Sequence, residues 1–147
     1  MYRRVDLPLG WTMGPRVNDK LYREAWLTLL VDGVRKEVMW TTIMRIEGKK
    51  TCSFIHLANG SVLKSTYSLN HFCPLLPMAY FGRYCKHCIL NLTYVTNYTK
   101  GSPWQAIMPA NMLPHAPLRR FDLGRESTDL FEKDFSVHGN SARLYYL

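Results

Sequence analysis

The sequence predicts a mainly β protein, an antiparallel meander that forms a sandwich or a partly open barrel with one or two short helices. Three turn signals typical of β-hairpins follow one another closely, and the runs between them are rich in Val, Ile, Thr, Trp and Tyr. With 147 residues, 47% of them hydrophobic, the chain is long enough for one core. A β-rich α+β fold is the alternative that these observations leave open.

The meander is predicted over about residues 23–68. Its first strand has a helical alternative, because Asn18 and Asp19 can cap a helix that ends at Gly33. Asp-Gly and Asn-Gly favour hairpin turns since both residues tolerate positive φ. The predicted turns lie at Asp32-Gly33, at residues 47–50 and at Asn59-Gly60.

The second half of the chain predicts further strands and one helix. Apolar and polar residues alternate from Cys88 to Tyr98, which is typical of a single strand. Residues 104–108 predict a short returning strand, and residues 142–147 predict a closing edge strand. Ser127-Thr128 can cap a short helix over 129–133 because its acids fall in the first turn.

The composition gives no reason to divide the chain into two globular domains. We expect an extended N-terminal arm over residues 1–20 and a single β-rich domain over residues 21–147. Two proline-rich loops, residues 74–84 and 103–117, are unusually apolar. They cover an open end of the sheet or form a surface for a partner protein.

The sequence favours an intracellular protein, cytoplasmic or nuclear and not secreted. No apolar run reaches the roughly 18–20 residues of a membrane-spanning helix, and the N-terminus lacks the apolar core of a secretory signal. Four cysteines are too few to predict a disulfide scaffold in a chain of this length.

The net charge of +8 is unevenly distributed along the chain. From Gly48 through Phe121 there is no Asp or Glu, whereas eight Lys and Arg residues occur there. Such a field attracts a polyanion, either nucleic acid or an anionic membrane surface. The predicted polyanion-binding residues are Lys49, Lys50, Lys64, Arg83, Lys86, Lys100, Arg119 and Arg120. The aromatic residues that would stack on bases, where exposed, are Tyr84, Tyr94, Tyr98 and Trp104.

The segment Tyr84-Cys-Lys-His-Cys88 resembles half of a metal site. Zinc needs about four ligands, and one Cys-x-x-Cys is a weak signal without a second matched pair. The alternative to a site is buried free thiols, and a catalytic redox pair is disfavoured because such a pair opens a helix. The zinc hypothesis takes as ligands His71, Cys73, Cys85 and Cys88, with His87 able to replace one of them.

No motif of an enzyme occurs in the sequence, so neither catalysis nor a small-molecule substrate is predicted. The leading hypothesis is a non-enzymatic basic protein that binds nucleic acid, with RNA favoured, through phosphate contacts. One alternative is an assembly subunit, viral matrix-like or coat-like, that contacts protein neighbours or copies of itself and anionic lipid or a genome. A second alternative is a zinc-stabilised adaptor that recruits another protein; otherwise no cofactor is predicted.

Overall fold

The structure, a computed structural model, describes residues 14–142. Most of the predicted N-terminal arm lies outside these residues, as does the closing strand predicted over 142–147 except for its first residue. None of the helices within residues 14–142 has the length and apolar character needed to cross a membrane.

The described chain is mainly β, as predicted, with antiparallel strands in two sheets and short helices. Its strands are β1 Trp26–Val31, β2 Val34–Met39, β3 Ile43–Lys49, β4 Cys52–Leu57, β5 Val62–Ser65, β6 Phe81–Cys85, β7 Cys88–Asn91, β8 Asn97–Thr99, β9 Gln105–Pro109 and β10 Leu118–Asp122. Its α-helices are α1 Asp19–Glu24, α2 Leu69–Phe72 and α3 Thr128–His138. Short 3-10 helices lie at Trp40–Thr42, Cys73–Leu75, Leu92–Tyr94 and Arg125–Ser127.

The large sheet has the strand order β2-β1-β5-β4-β3-β7-β6, and the small sheet has the order β10-β9-β8. The predicted hairpins β1–β2, β3–β4 and β4–β5 all form. The run between the first two turns, predicted as a single strand over residues 34–46, is instead divided into β2 and β3, which do not pair with each other. The Thr42 hydroxyl donates to the Met39 carbonyl at 2.7 Å and closes a 3-10 turn, while Trp40 is buried. This turn ends β2, and β1 pairs instead with β5.

The single strand predicted from Cys88 to Tyr98 is also wrong. β7 ends at Asn91, a buried residue whose side-chain oxygen accepts a hydrogen bond from the Thr93 backbone N–H at 3.1 Å. Its amide nitrogen donates to the Ile43 carbonyl at 2.8 Å. Asn91 therefore starts a 3-10 helix, and the chain leaves the large sheet before β8 begins in the small one.

The helix considered as an alternative for the first strand forms only in its first part. Asn18 caps α1, its side-chain oxygen accepting from the Leu21 N–H at 2.9 Å, but α1 ends at Glu24 and β1 follows. The C-terminal helix predicted over 129–133 forms and continues to His138.

The predicted loops contain regular structure, since β6 lies largely within 74–84 and β9 within 103–117. Their apolar residues enter two hydrophobic clusters. The sheet cluster packs α1, α2 and Phe81 on one face of the large sheet. The junction cluster joins Met44 and Leu90 of the large sheet to Met108 of the small sheet and to α3. Tyr84 of β6 links the large sheet to α3, because its hydroxyl donates a hydrogen bond to the Asp134 carboxylate at 2.6 Å.

Candidate nucleic-acid interface

Two hairpin turns meet at one end of the large sheet. β3 and β7 are antiparallel neighbours with Glu47 opposite Cys88, so the β3–β4 turn lies beside the β6–β7 turn. The Gly48 N–H donates to the His87 carbonyl at 2.8 Å and fixes the two turns together. This register brings the exposed side chains of Lys49 and Lys50 next to those of Lys86 and His87.

The two turns and α2 enclose a cleft of about 390 Å³. A Cβ atom on Gly48 would lie 2.7 Å from the Leu69 side chain, so this glycine permits α2 to pack against the turn. The Arg83 guanidinium donates to the Asn70 side-chain oxygen and, at 3.0 Å, to the Lys86 carbonyl. The cleft is lined by basic and polar groups from Lys49, Lys50, Ser68, Asn70, Arg83 and His87.

A second cleft lies on the other side of Arg83 and reaches the start of the C-terminal helical segment. It is lined by Arg83, Lys86 and residues of the segment 124–127, including the acid Glu126. The Gly124 N–H donates to the Tyr84 carbonyl at 2.8 Å, which places the segment 124–127 beside β6. The exposed Arg125 lies at the border of this cleft, where its side chain lines a neighbouring pocket with Pro103 and Trp104. We call the resulting surface the basic rim: Lys49, Lys50, Arg83, Lys86, His87 and Arg125.

The rim contains four of the eight predicted polyanion-binding residues, and the other four lie elsewhere. Lys64 is exposed on β5, opposite Phe54, and Arg120 is exposed on β10 in the small sheet. Lys100 forms an ion pair with Glu132 at 3.1 Å and lies over the Trp104 ring. Arg119 lies over the Phe121 ring, and its guanidinium is 3.9 Å from the Glu47 carboxylate.

Arg45 and Glu47 of β3 form a charge network with His56 of β4, in which Arg45 is buried and the other two side chains are partly exposed. Arg45 is 1% exposed, and its Nε donates to the Glu47 carboxylate at 3.0 Å. His56 Nε2 donates to the same carboxylate at 2.9 Å, and its Nδ1 lies 3.3 Å from the Arg45 guanidinium. These hydrogen bonds, led by that from His56, lower the pKa of Glu47 to about 2 against the opposing effect of burial. Glu47 is therefore ionised throughout the neutral range.

The aromatic residues predicted to stack on bases are not free to do so. Tyr84 and Tyr94 are buried, and the Tyr94 hydroxyl donates to the Thr41 carbonyl. Tyr98 and Trp104 are half-buried and stack on each other with ring centroids 5.9 Å apart. The Tyr98 hydroxyl also donates to Glu132 at 2.6 Å.

The structure does not bring the predicted zinc ligands together. Within residues 14–142 no group of three or more His, Cys, Asp or Glu side chains is placed to hold a metal ion. His71 stacks on the Tyr67 ring with centroids 4.0 Å apart, and Cys73 belongs to the sheet cluster. Cys85 and Cys88 are neighbours in the junction cluster.

Sequence reasoning did not assign Arg125 to the interface. Arg125 stands in an acidic stretch, and the Gly124–Tyr84 contact brings its backbone to the β6 side of the molecule, while its side chain lines the pocket that contains Trp104. The sequence predicts His87 as a substitute metal ligand, whereas its exposed side chain lines the first cleft. Neither residue carries a local sequence signal for this surface.

Comparison with known proteins supports the fold. No family model and no curated protein matches the sequence. Among solved structures, the chain is similar to the LytTr DNA-binding domain of a protein from Bacillus cereus. The TM-score is 0.57 at 18% identity, and the match covers 76% of this chain and 96% of that one. The chain therefore has a LytTR-like fold.

Proposed function

We propose that this chain is a non-enzymatic DNA-binding domain that holds duplex DNA through phosphate contacts from the basic rim. The observation that carries the proposal is that the β3–β4 turn, the β6–β7 turn and the start of the 3-10 helix Arg125–Ser127 lie close together at one end of the large sheet. The rim's five Lys and Arg side chains have no acidic ion-pair partner among residues 14–142. Cations in this state release counterions from DNA without first losing an intramolecular contact with a carboxylate.

Duplex DNA replaces the RNA that the sequence favoured. Proteins that hold single-stranded nucleic acid stack bases on exposed aromatic rings. Here Tyr84 and Tyr94 are core residues, and Tyr98 and Trp104 already stack on each other. The structurally similar chain from Bacillus cereus is described as a DNA-binding domain, which supports the choice of DNA over RNA duplexes.

The proposal is tested by fluorescence anisotropy with a labelled mixed-sequence 40-base-pair DNA duplex, titrated at several salt concentrations. Each phosphate contact adds about 0.9 to the slope of log affinity against log salt, so the double variant Lys49→Gln/Lys50→Gln should lower that slope by about 1.8. The matched control is the double variant Arg35→Gln/Lys36→Gln, which removes the same number of charges. Arg35 and Lys36 are exposed and lie on β2, at the opposite edge of the large sheet from β6. This variant should leave both affinity and slope unchanged.

Two results would contradict the proposal. One is an absence of duplex binding at low salt by the wild-type protein. The other is a loss of the same size in Arg35→Gln/Lys36→Gln and in the Lys49/Lys50 variant, which would mean that net charge and not the rim attracts DNA. A parallel titration with single-stranded RNA of mixed sequence should show weaker binding at every salt concentration. The assembly-subunit and adaptor alternatives stay predictions, and measurement of mass in solution tests the first of them.

A further inference from the structure

The two cysteines of the Tyr84-Cys-Lys-His-Cys88 segment face each other across a tight hairpin. Cys85 ends β6, Cys88 begins β7, and the two residues are paired in register around a turn formed by Lys86 and His87. Directly opposed residues of antiparallel strands have Cα atoms about 4.5–5.5 Å apart. That separation lies within the roughly 4.4–6.8 Å that a disulfide spans.

The two thiols also interact with each other. A hydrogen bond with Cys88, followed by burial and by neighbouring charge, raises the pKa of the Cys85 thiol well above its ordinary value. Cys85 therefore keeps its proton at neutral pH and donates it toward the Cys88 sulfur.

We propose that Cys85 and Cys88 form a reversible disulfide that locks the Lys86-His87 turn of the basic rim. The oxidant is a peroxide, and hydrogen peroxide is the probe. The thiolate of one of the two cysteines attacks one peroxide oxygen, the O–O bond breaks, and the departing hydroxide takes a proton to become water. The sulfur of the other cysteine then attacks the resulting sulfenic acid as its proton leaves, the S–O bond breaks, and a second water departs. Two thiols are oxidised by two electrons and one peroxide is reduced to two waters.

A route from solvent to the pair exists on the described surface. Both cysteines are largely buried, at 6% and 5% exposed, yet Cys85 lines the second cleft together with Arg83 and Lys86. The small size of hydrogen peroxide suits so narrow an approach, whereas a bulky alkylating reagent should react slowly with the folded protein.

The experiment treats the reduced full chain with hydrogen peroxide, blocks free thiols under denaturing conditions, and measures intact mass. After the mass of the blocking groups is subtracted, the oxidised protein should be 2 Da lighter than the reduced protein. Treatment of the oxidised protein with dithiothreitol before blocking should restore the mass of the reduced protein. Trypsin cleaves after Arg83, Lys86 and Lys100, so the disulfide should appear as peptide 84–86 linked to peptide 87–100. Closing this short ring should also raise Tm by about 5 °C.

Matched variants locate the reaction. Cys85→Ser and Cys88→Ser should each abolish the 2 Da loss, whereas Cys73→Ser should retain it, because Cys73 is as buried as Cys85 but lies in the sheet cluster. The double variant Cys52→Ser/Cys73→Ser keeps the 85–88 pair alone and must still lose 2 Da, which decides the matter if either single variant fails to fold.

The proposal is overturned if the double variant shows no mass loss, if the linkage joins other cysteines or two chains, or if oxygen atoms add to either cysteine without a disulfide. None of these measurements uses nucleic acid. A failure here therefore leaves the DNA-binding proposal standing, and a failure to bind DNA leaves the disulfide standing.

Discussion

Two sets of cations from the same acid-free stretch of sequence have different surroundings in the folded protein. Lys49, Lys50 and Lys86 lie on hairpin turns, exposed and without an acidic ion-pair partner in the described part of the chain. Lys100 and Arg119 lie instead beside Glu132 and Glu47. Residues 48–121 contain no acid, but the fold brings to them Glu47, which precedes the stretch in sequence, and Glu132, which follows it. A run of like charge in the sequence therefore predicts that a polyanion binds. The positions of the acidic partners in the fold indicate which of the cations are available to bind it.

Arg45 is a buried cation that is paired with Glu47, and removal of this carboxylate should have the largest effect on the protein. Glu47→Ala leaves the buried Arg45 without its carboxylate, and we expect the free energy of unfolding to fall by about 3 kcal/mol. Urea denaturation at pH 7 measures this loss. The control Glu37→Ala removes an exposed carboxylate from β2 and should change stability by less than about 0.5 kcal/mol. Equal stability of the two variants would show that the network is not structural.

The same carboxylate should give the protein a distinct acid response. The pKa of Glu47 is lowered to about 2 in the folded state, below its ordinary value of 4.5. A group of this kind contributes stability that is complete above pH 4.5 and is lost as the pH falls toward 2. Urea midpoints between pH 5 and pH 3 should therefore decline more steeply in the wild type than in Glu47→Gln. Parallel declines would contradict the assignment, since all other carboxylates are common to both proteins.

Arg125 sharpens the comparison because it belongs to the rim but not to the acid-free stretch. If position in the fold decides, Arg125→Gln should weaken duplex binding about eightfold at 0.1 M salt, the effect of one lost phosphate contact. Lys133→Gln is the control, because Lys133 is exposed on α3 and comes from the same acidic segment. Fluorescence anisotropy distinguishes them, and equal affinities for the two variants would remove Arg125 from the interface.

The fold was predictable where it depends on local chemistry. Asp32-Gly33 and Asn59-Gly60 identify hairpins since their residues tolerate the backbone angles of tight turns. The break between β2 and β3 depends on Trp40 finding a place in the core, and the end of β7 depends on Asn91 reaching the Ile43 carbonyl. Contacts between residues so far apart in sequence leave no periodic signal.

The candidate site was predictable to a similar degree. Charge counting named Lys49, Lys50, Arg83 and Lys86 among eight cations, and the fold places these four near one another. It could not separate them from Lys100 and Arg119, because Glu132 lies 32 positions after Lys100 and Glu47 lies on another sheet. The stacking residues were misplaced for a related reason: an aromatic ring on a strand looks the same in sequence whether its face of the sheet is covered or open.

Lys100 gives the smallest expected effect and the most direct test of the comparison. It was predicted to bind a polyanion, and at 62% exposure it is accessible. Its ammonium is shared between Glu132 at 3.1 Å and the Trp104 ring, so a phosphate must compete with both. We expect Lys100→Gln to change duplex affinity by less than about twofold at 0.1 M salt, well below the eightfold of a rim cation. The variant Glu132→Gln should then raise affinity slightly by freeing Lys100, and addition of Lys100→Gln to it should remove that gain. A loss near eightfold for Lys100→Gln alone would mean that the interface extends over the small sheet, and that an acidic neighbour does not exclude a cation from it.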